Sequence, residues 1–264
     1  MFVAGAGETL LDWANVLPEL AAHASLVAYD RAGLGGSGPV RPLSVAAQVD
    51  DLAALLARTG PAIVVGHSWG GLLAQLVAFD HPHLFAGLVL VDPSHEETLT
   101  APPRAVRLLA AATHRALVPM RAVGLFTRLA RSMATTLAAR STEDEQIRRL
   151  LIEAYVGSYA TRTQVATIGA ENRLAGRSVR QVRAKRASSS LPAVPLVALS
   201  ATREPPYLRD RSTMAVSAVV AAAGGRHVIV DGAGHHIHHD RPDVVIAEIR
   251  SVIDAADAAR TRRR

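Results

Sequence analysis

A chain of 264 residues suits one α/β domain with an insertion and is long enough to bury a large core. Hydrophobic residues make up 49% of the chain and charged residues 20%, which is typical of a globular protein. The sequence contains no cysteine, which excludes structural disulfides, thiol catalysis and cysteine metal sites.

The charge does not indicate a nucleic-acid partner. The formal net charge is +6, and part of the excess lies in the arginine-rich tail 260–264. Such a tail is more typical of a solvated surface, and no basic stripe interleaved with aromatic residues accompanies it. No stretch reaches the roughly eighteen apolar residues of a membrane span, and no secretory signal is recognisable. We therefore expect a cytoplasmic protein that binds no nucleic acid.

The N-terminal part alternates short apolar runs with helical patterns. Residues 1–3 indicate the end of a strand, residues 9–22 a helix and residues 26–29 a second strand. The glycine-rich loop 30–38 lacks the G-K-[ST] ending of a phosphate cradle and the G-x-G-x-x-G order of a dinucleotide site. We interpret it as a tight surface loop. Ser44 then predicts the N-cap of a helix that runs to Arg58.

The motif G-H-S-W-G-G at residues 66–71 is the strongest signal in the chain. The apolar run 62–65 enters it and the helical pattern 72–79 leaves it. In G-x-S-x-G the serine sits at the tip of a sharp turn, and the amide that follows points at a developing oxyanion. The strand–turn–helix context disfavours the alternative, a glycine-rich turn with an incidental serine.

The alternation stops between about residues 94 and 192. This stretch is rich in Ala, Leu and Arg, and we interpret it as a helical layer over the sheet. The alternative, a basic amphipathic element on a lipid surface, is the weaker hypothesis. Residues 177–190 read as an exposed return linker. The helices predicted within the stretch cover 105–117, 124–139 and 143–155.

Strand and helix patterns bracket this helical stretch. The runs predicted outside it are a strand at 88–91, a strand at 194–199, a helix at 208–223, a strand at 226–230 and a helix at 241–258. The alternation predicts an α/β fold with a doubly wound, mostly parallel sheet. We expect a core of residues 1–93 and 193–264 and a helical insertion over 94–192.

A serine hydroxyl becomes a good nucleophile only beside a base, which in turn needs an orienting acid. His235 follows two glycines in the loop after the last predicted strand, at the edge where open α/β sheets bind ligands. We expect it to reach Ser68. Adjacent histidines do not easily face one ion, so we predict no metal at the run that also contains His236, His238 and His239.

With these features the chain resembles the α/β-hydrolase superfamily, and within it the esterase, lipase and haloperoxidase-like proteins with a helical cap. The resemblance covers nearly the whole chain and rests on G-H-S-W-G-G, D-R-A-G-L-G-G-S, G-A-G-H and the inserted helices. It implies that Ser68 is the nucleophile and His235 the base. It also implies oxyanion donors at the amides of Trp69 and Ala6, and no cofactor.

The chain departs from the family pattern in three ways. Ala4-Gly5 stands where the family has His-Gly, and the family has one or two further strands before Met1, so N-terminal strands are expected to be missing. The family's commonest acid position aligns with Glu204, whereas some lipases use an aspartate at the position of Asp92. Of the two, Glu204 is slightly favoured.

The sequence therefore predicts a serine hydrolase that cleaves an ester or related acyl bond of a small, mostly apolar substrate through an acyl-enzyme. A serine at position 68 speaks against dehalogenase and epoxide hydrolase chemistry, which use an aspartate. Aminopeptidase, C–C hydrolase and perhydrolase activities remain open. The alternative from another class is a catalytically silent binding protein of the same fold. The expected partner is a small acyl substrate, membrane contact is disfavoured, and the oligomeric state is not encoded.

Overall fold

The computed structural model describes residues 1–38, 42–99, 125–157 and 161–262. Within these ranges the centre of the protein is a five-stranded sheet whose strands lie side by side in chain order and pair in parallel. The carboxyl ends of all these strands therefore meet at one edge, where sheets of this kind bind ligands. The strands are β1 (Phe2–Val3), β2 (Ala62–His67), β3 (Phe85–Val91), β4 (Leu196–Ala201) and β5 (Arg226–Val230).

Helices connect the strands and flank the sheet. The helices of the described ranges are α1 (Leu17–Leu20), α2 (Val45–Thr59), α3 (Ser68–Asp80), α4 (Leu125–Ser141), α5 (Glu145–Gly157), α6 (Arg162–Ala187), α7 (Pro206–Ala222), α8 (Ile237–Asp240) and α9 (Pro242–Thr261). Within the same ranges, none of them combines the length and apolarity needed to cross a bilayer.

The helices pack on both faces of the sheet. Along β3, Leu88 and Leu90 pack into the core on the side of α2, α3 and α7, whereas Val89 and Val91 pack on the side of α9. Successive side chains of a strand point to opposite faces, so a strand covered on both faces is apolar throughout. The prediction of a doubly wound parallel sheet is confirmed.

The helix predicted to begin after Ser44 is confirmed. The hydroxyl of Ser44 accepts a hydrogen bond from the backbone amide of Ala47 at 3.1 Å, and α2 ends at Thr59. An N-cap oxygen of this kind satisfies one of the amides that the first turn leaves without a partner. The apolar stripe of α2 then packs against the sheet through Leu52 and Leu56, which are fully buried.

The N-terminal predictions were less accurate. Residues 9–22 do not form one helix but a short 3₁₀ turn at Leu10–Trp13 and the one-turn helix α1. Pro18 lies in that single turn, and proline cannot donate the hydrogen bond that would join α1 to the turn before it. Among the described residues, the predicted strand 26–29 is reduced to a single bridge between Ala28 and Phe2.

The inserted segment between β3 and β4 contributes α4, α5 and α6 to the described residues, and we call these the insertion helices. The first two match the predictions for 124–139 and 143–155, and the helix predicted for 105–117 lies outside the described residues. The exposed linker predicted for 177–190 was wrong, because the chain stays helical to Ala187. Val182 is fully buried there. Because arginines surround Val182 in the sequence, the order of residue types did not indicate that one side of this helix is buried.

Candidate active site

Ser68 lies at the sharp turn between β2 and α3. Its φ is 48°, in the left-handed region that side-chain-bearing residues rarely adopt. The flanking glycines make this turn possible, since a Cβ on Gly66 would lie 2.7 Å from the Cα of Gly71. A Cβ on Gly70 would lie 2.5 Å from the carbonyl oxygen of Ala4. The predicted strand–turn–helix placement of the serine is therefore what the structure has.

Three side chains from different strand ends form a continuous line of contacts. The Oγ of Ser68 lies 2.9 Å from Nε2 of His235, in the loop after β5. The Nδ1 of His235 lies 2.6 Å from Oδ2 of Asp92, the residue after β3. In this order a carboxylate can orient the imidazole and the imidazole can take the serine proton. The side chain of His235 remains 40% exposed, so it is open to a substrate, whereas Asp92 is 11% exposed.

Of the two candidate acids, it is Asp92 that contacts His235, and not the slightly favoured Glu204. Both ring nitrogens of His235 are taken by Ser68 and Asp92, and in the described part of the chain Glu204 makes no hydrogen bond or ion pair. Asp92 adopts a left-handed φ of 42°, and its second carboxylate oxygen accepts from the amide of Ala201 at 3.1 Å. This turn aims the carboxylate across the end of β4 towards the loop of His235.

Ser94 is a neighbour of the site that the sequence analysis did not single out. Its Oγ lies 3.3 Å from the Oγ of Ser68, and its amide donates to the carbonyl of Ser68 at 2.9 Å. Ser94 follows the strand end of Asp92 by two residues, which is the signal that could have placed it near the nucleophile. It is the natural comparison residue for any reagent that attacks serine hydroxyls.

The two predicted oxyanion donors lie in the segments that follow β1 and β2. Ala6 lies in the loop after β1, and Trp69 is the residue after the serine, at the start of α3. Among the described residues, neither backbone amide has a protein hydrogen-bond acceptor. Trp69 is otherwise buried, with its indole Nε1 donating to Oε1 of Gln48 at 2.9 Å.

Glu8 joins three of the loops at this edge. Its carboxylate accepts from the amide of Gly5 at 2.5 Å, and it lies 2.9 Å from Nδ1 of His67 and 3.1 Å from Nε2 of His236. Burial opposes the ionisation of Glu8, but the two histidines outweigh it and hold its pKa well below the usual range. His67 in turn contacts the carbonyl oxygen of His235 at 3.0 Å through Nε2. Glu8 and His67 thus help to fix the position of the loop that carries His235.

Glu8, His67 and His238 are the described residues whose ligand atoms come within 4.8 Å of one another, as a metal site requires. His238 is fully buried, neither of its ring nitrogens has a partner among the described residues, and burial lowers its pKa well below the usual value. The donor types would suit zinc. However, the hydrogen bond between Glu8 and His67 already accounts for their positions. The absence of a metal stays a prediction.

The fold agrees with a comparison against protein families. The model of the Alpha/beta hydrolase family matches residues 1–248, and the chain belongs to that family. The resemblance described above is therefore confirmed at the level of the family.

Curated relatives match only part of this chain. Lipase LipV from Mycobacterium tuberculosis is 42% identical over 83 residues, which are 31% of this chain and 30% of the lipase. The pimeloyl-acyl-carrier-protein methyl ester esterase from Neisseria meningitidis is 34% identical over 106 residues, 37% of this chain and 40% of the esterase. The soluble epoxide hydrolase from a Corynebacterium is 33% identical over 84 residues, 31% of this chain and 29% of that enzyme. In each case the chain spans less than half of the relative.

Solved structures match nearly the whole chain. An epoxide hydrolase candidate from Pseudomonas aeruginosa superposes with a TM-score of 0.71 at 22% identity, over 98% of this chain and 89% of its own. A thermophilic esterase superposes with a TM-score of 0.64 at 18% identity, over 97% and 89%. At such identities the likeness shows the fold alone.

Proposed function

We propose that this protein is a serine hydrolase that cleaves an ester of a small, mostly apolar acid through an acyl-enzyme. The observation that carries the proposal is the unbroken line from Ser68 through His235 to Asp92, with the serine on a strained turn. A carboxylate, an imidazole and a serine hydroxyl in this order form the constellation that activates a serine in several unrelated folds.

In the proposed mechanism Ser68 attacks the acyl carbon while His235 takes its proton. The amides of Ala6 and Trp69 bind the oxygen of the tetrahedral intermediate, and Asp92 stabilises the imidazolium. His235 then gives the proton to the leaving alcohol as the ester bond breaks. Water attacks the acyl-enzyme with His235 as the base, which releases the acid and restores the serine.

The relatives include both esterases and an epoxide hydrolase, and it is the serine at position 68 that supports ester substrates over epoxides. Two of the curated relatives are named as a lipase and a methyl ester esterase, and the third as an epoxide hydrolase. Epoxide hydrolases of this superfamily resemble this chain in fold but use an aspartate where Ser68 stands.

In the proposal residues 1–93 and 193–264 form the core, and residues 94–192 form a cap that determines which substrate is bound. Cleavage of amide or C–C bonds and perhydrolysis are the alternative activities that a substrate screen would reveal.

The test is intact-mass labelling with a fluorophosphonate on the wild type, Ser68→Ala and Ser94→Ala. We expect one adduct on the wild type and on Ser94→Ala, and none on Ser68→Ala, because among the described serines Ser68 is the one whose hydroxyl contacts His235. p-Nitrophenyl esters of increasing chain length, with an epoxide and an anilide beside them, then define the substrate.

Two results would overturn the proposal. One is a folded wild type that takes up no reagent, which would favour a catalytically silent binding protein. The other is an adduct that persists in Ser68→Ala and disappears in Ser94→Ala, which would move the nucleophile to the neighbouring serine.

A further inference from the structure

A buried arginine supports the loop after β1. Arg31 donates from Nη1 to the carbonyl oxygen of Ala4 at 2.6 Å and from Nη2 to that of Gly5 at 2.5 Å. Arg31 is only 4% exposed. Its guanidinium therefore fixes the backbone immediately before Ala6, the proposed oxyanion donor.

Glu171 of insertion helix α6 is the partner of this arginine. Its carboxylate accepts from Nε and Nη2 of Arg31, both at 2.8 Å, and from the backbone amide of Gly7 at 2.6 Å. Glu171 is completely buried and cannot touch solvent. The forked contact with the guanidinium is the geometry that makes such pairs directional. The same carboxylate thus holds the backbone on the far side of Ala6.

The same carboxylate also reaches the second oxyanion residue through one side chain. Gln48 of α2 donates from Nε2 to Oε1 of Glu171 at 2.5 Å and accepts from the indole of Trp69 at 2.9 Å. Ile168 of α6 also packs against this loop at Gly7, where an added Cβ would lie 3.0 Å from the Ile168 side chain. One turn of α6 therefore contacts the loop of one proposed donor and is linked through Gln48 to the side chain of Trp69, which provides the other.

Stability alone does not explain a buried pair of this kind. Burying two charges costs desolvation energy, and apolar residues of similar volume often stabilise a core as well. Apolar residues could not, however, bind the two carbonyl oxygens and the amide on either side of Ala6. Because donors in an oxyanion hole act only in a fixed geometry, the network has a use in positioning that packing would not supply.

From this network we infer that Glu171 is a positioning residue of the oxyanion hole, so that the donors take their working geometry only when α6 of the insertion lies on the core. The inference rests on the proposed serine hydrolase function. In the described chain Glu171 makes no contact with Ser68. It acts through Gly7 and Arg31 on Ala6, and through Gln48 on Trp69.

The first test is the variant Glu171→Gln, with Arg183→Gln as its control. Arg183 lies on the same helix but forms an exposed ion pair with Glu97. With a p-nitrophenyl ester that the wild type hydrolyses, we expect Glu171→Gln to lower kcat and the fluorophosphonate labelling rate roughly 10- to 100-fold, as misplacement of about 1 Å does. We expect KM within about threefold of the wild type, and an unchanged pH midpoint for kcat, because the Ser68–His235 contact stays. The control should match the wild type in all four of these quantities.

The double variant Arg31→Met with Glu171→Leu separates positioning from folding, since it leaves no charge unpaired. We expect it to fold, as judged by circular dichroism and a cooperative melt, and to show the same loss of kcat. A folded double variant or a folded Glu171→Gln with wild-type kcat would overturn the inference. So would failure of both to fold, because the pair would then be a folding element. A wild type that takes up no fluorophosphonate would instead contradict the proposed function itself.

Discussion

Two non-glycine residues of the described chain hold a left-handed backbone, and both are at the candidate site. Ser68 follows β2 with φ 48°, and Asp92 follows β3 with φ 42°. Strain of this kind costs about 1–3 kcal/mol per residue and persists where the surroundings enforce it. At Ser68 the strain presents the hydroxyl to His235, and at Asp92 it turns the carboxylate back to the same ring.

At the residue scale, the acid of the site is the first point to test. We expect Asp92→Asn to lower kcat by about 10⁴-fold, because an amide no longer stabilises the imidazolium and favours the wrong ring tautomer. The matched variant Glu204→Gln should keep kcat within twofold of the wild type, since no contact joins Glu204 to His235. Steady-state ester hydrolysis measures both. If Glu204→Gln lost activity and Asp92→Asn kept it, the acid would instead be Glu204, in the loop after β4.

The sequence could name the two candidate acids but could not choose between them. Both Asp92 and Glu204 follow a strand whose carboxyl end meets the same edge, so pattern alone places both near His235. The choice depends on the backbone of one residue, the left-handed Asp92, and on its contact with the amide of Ala201. Neither has a signature in the order of residue types.

At the scale of elements, the close approach of α3 to β1 sets the position of the serine turn. A side chain on Gly70 would enter the backbone of residues 3–4. We therefore expect Gly70→Ala to lower the free energy of unfolding by about 1–3 kcal/mol, as overpacking of a filled core does. Gly38→Ala is the control, because no atom lies within 4 Å of its added Cβ. Urea titrations compare the two.

A Gly70→Ala midpoint equal to that of Gly38→Ala would contradict this description of the turn. If Gly70→Ala instead shifted α3 without any loss of stability, the loop after β1 and the serine would move apart. Fluorophosphonate labelling of the same two variants would report that shift directly.

The elements that the sequence predicted well are those that carry their signal locally. The G-H-S-W-G-G turn, the N-cap at Ser44 and the apolar run of β3 each depend on neighbours within a few residues. The pair between Arg31 and Glu171 joins positions 140 residues apart. In an insertion rich in arginine, one glutamate on a helix gives no sign that its face is buried against the core.

At the scale of the whole molecule, Glu8 links the ends of β1 and β2 with the loop after β5, and the stability of the fold should report its charge. The pKa of Glu8 is lowered in the folded protein and returns to about 4.5 when the chain unfolds. A group with a lowered pKa stabilises the fold fully above its unfolded value, and that contribution is lost as the pH falls towards the folded value.

We therefore expect Glu8→Gln to lower the free energy of unfolding by about 1–3 kcal/mol at pH 6–7, the usual cost of removing one partner from a buried polar network. The difference from the wild type should shrink progressively below about pH 4.5, because Glu8 then takes up a proton in the unfolded chain while it stays ionised in the folded protein. Urea midpoints at pH 3.5, 5 and 7 measure it. A difference that stays constant with pH would show that Glu8 contributes by packing rather than by charge.

The sequential order of the strands has a consequence for how the protein is made. Each strand pairs with the one synthesised just before it, so a nascent chain can add strands progressively in the order in which they leave the ribosome. Ser68 and Asp92 are in place once β3 has joined, but His235 arrives only after β5, the last strand. A ribosome-bound intermediate that ends after β3 would therefore contain the first three strands and a serine that has no histidine beside it. On the proposed function, enzymatic activity therefore appears only after β5 has joined the sheet.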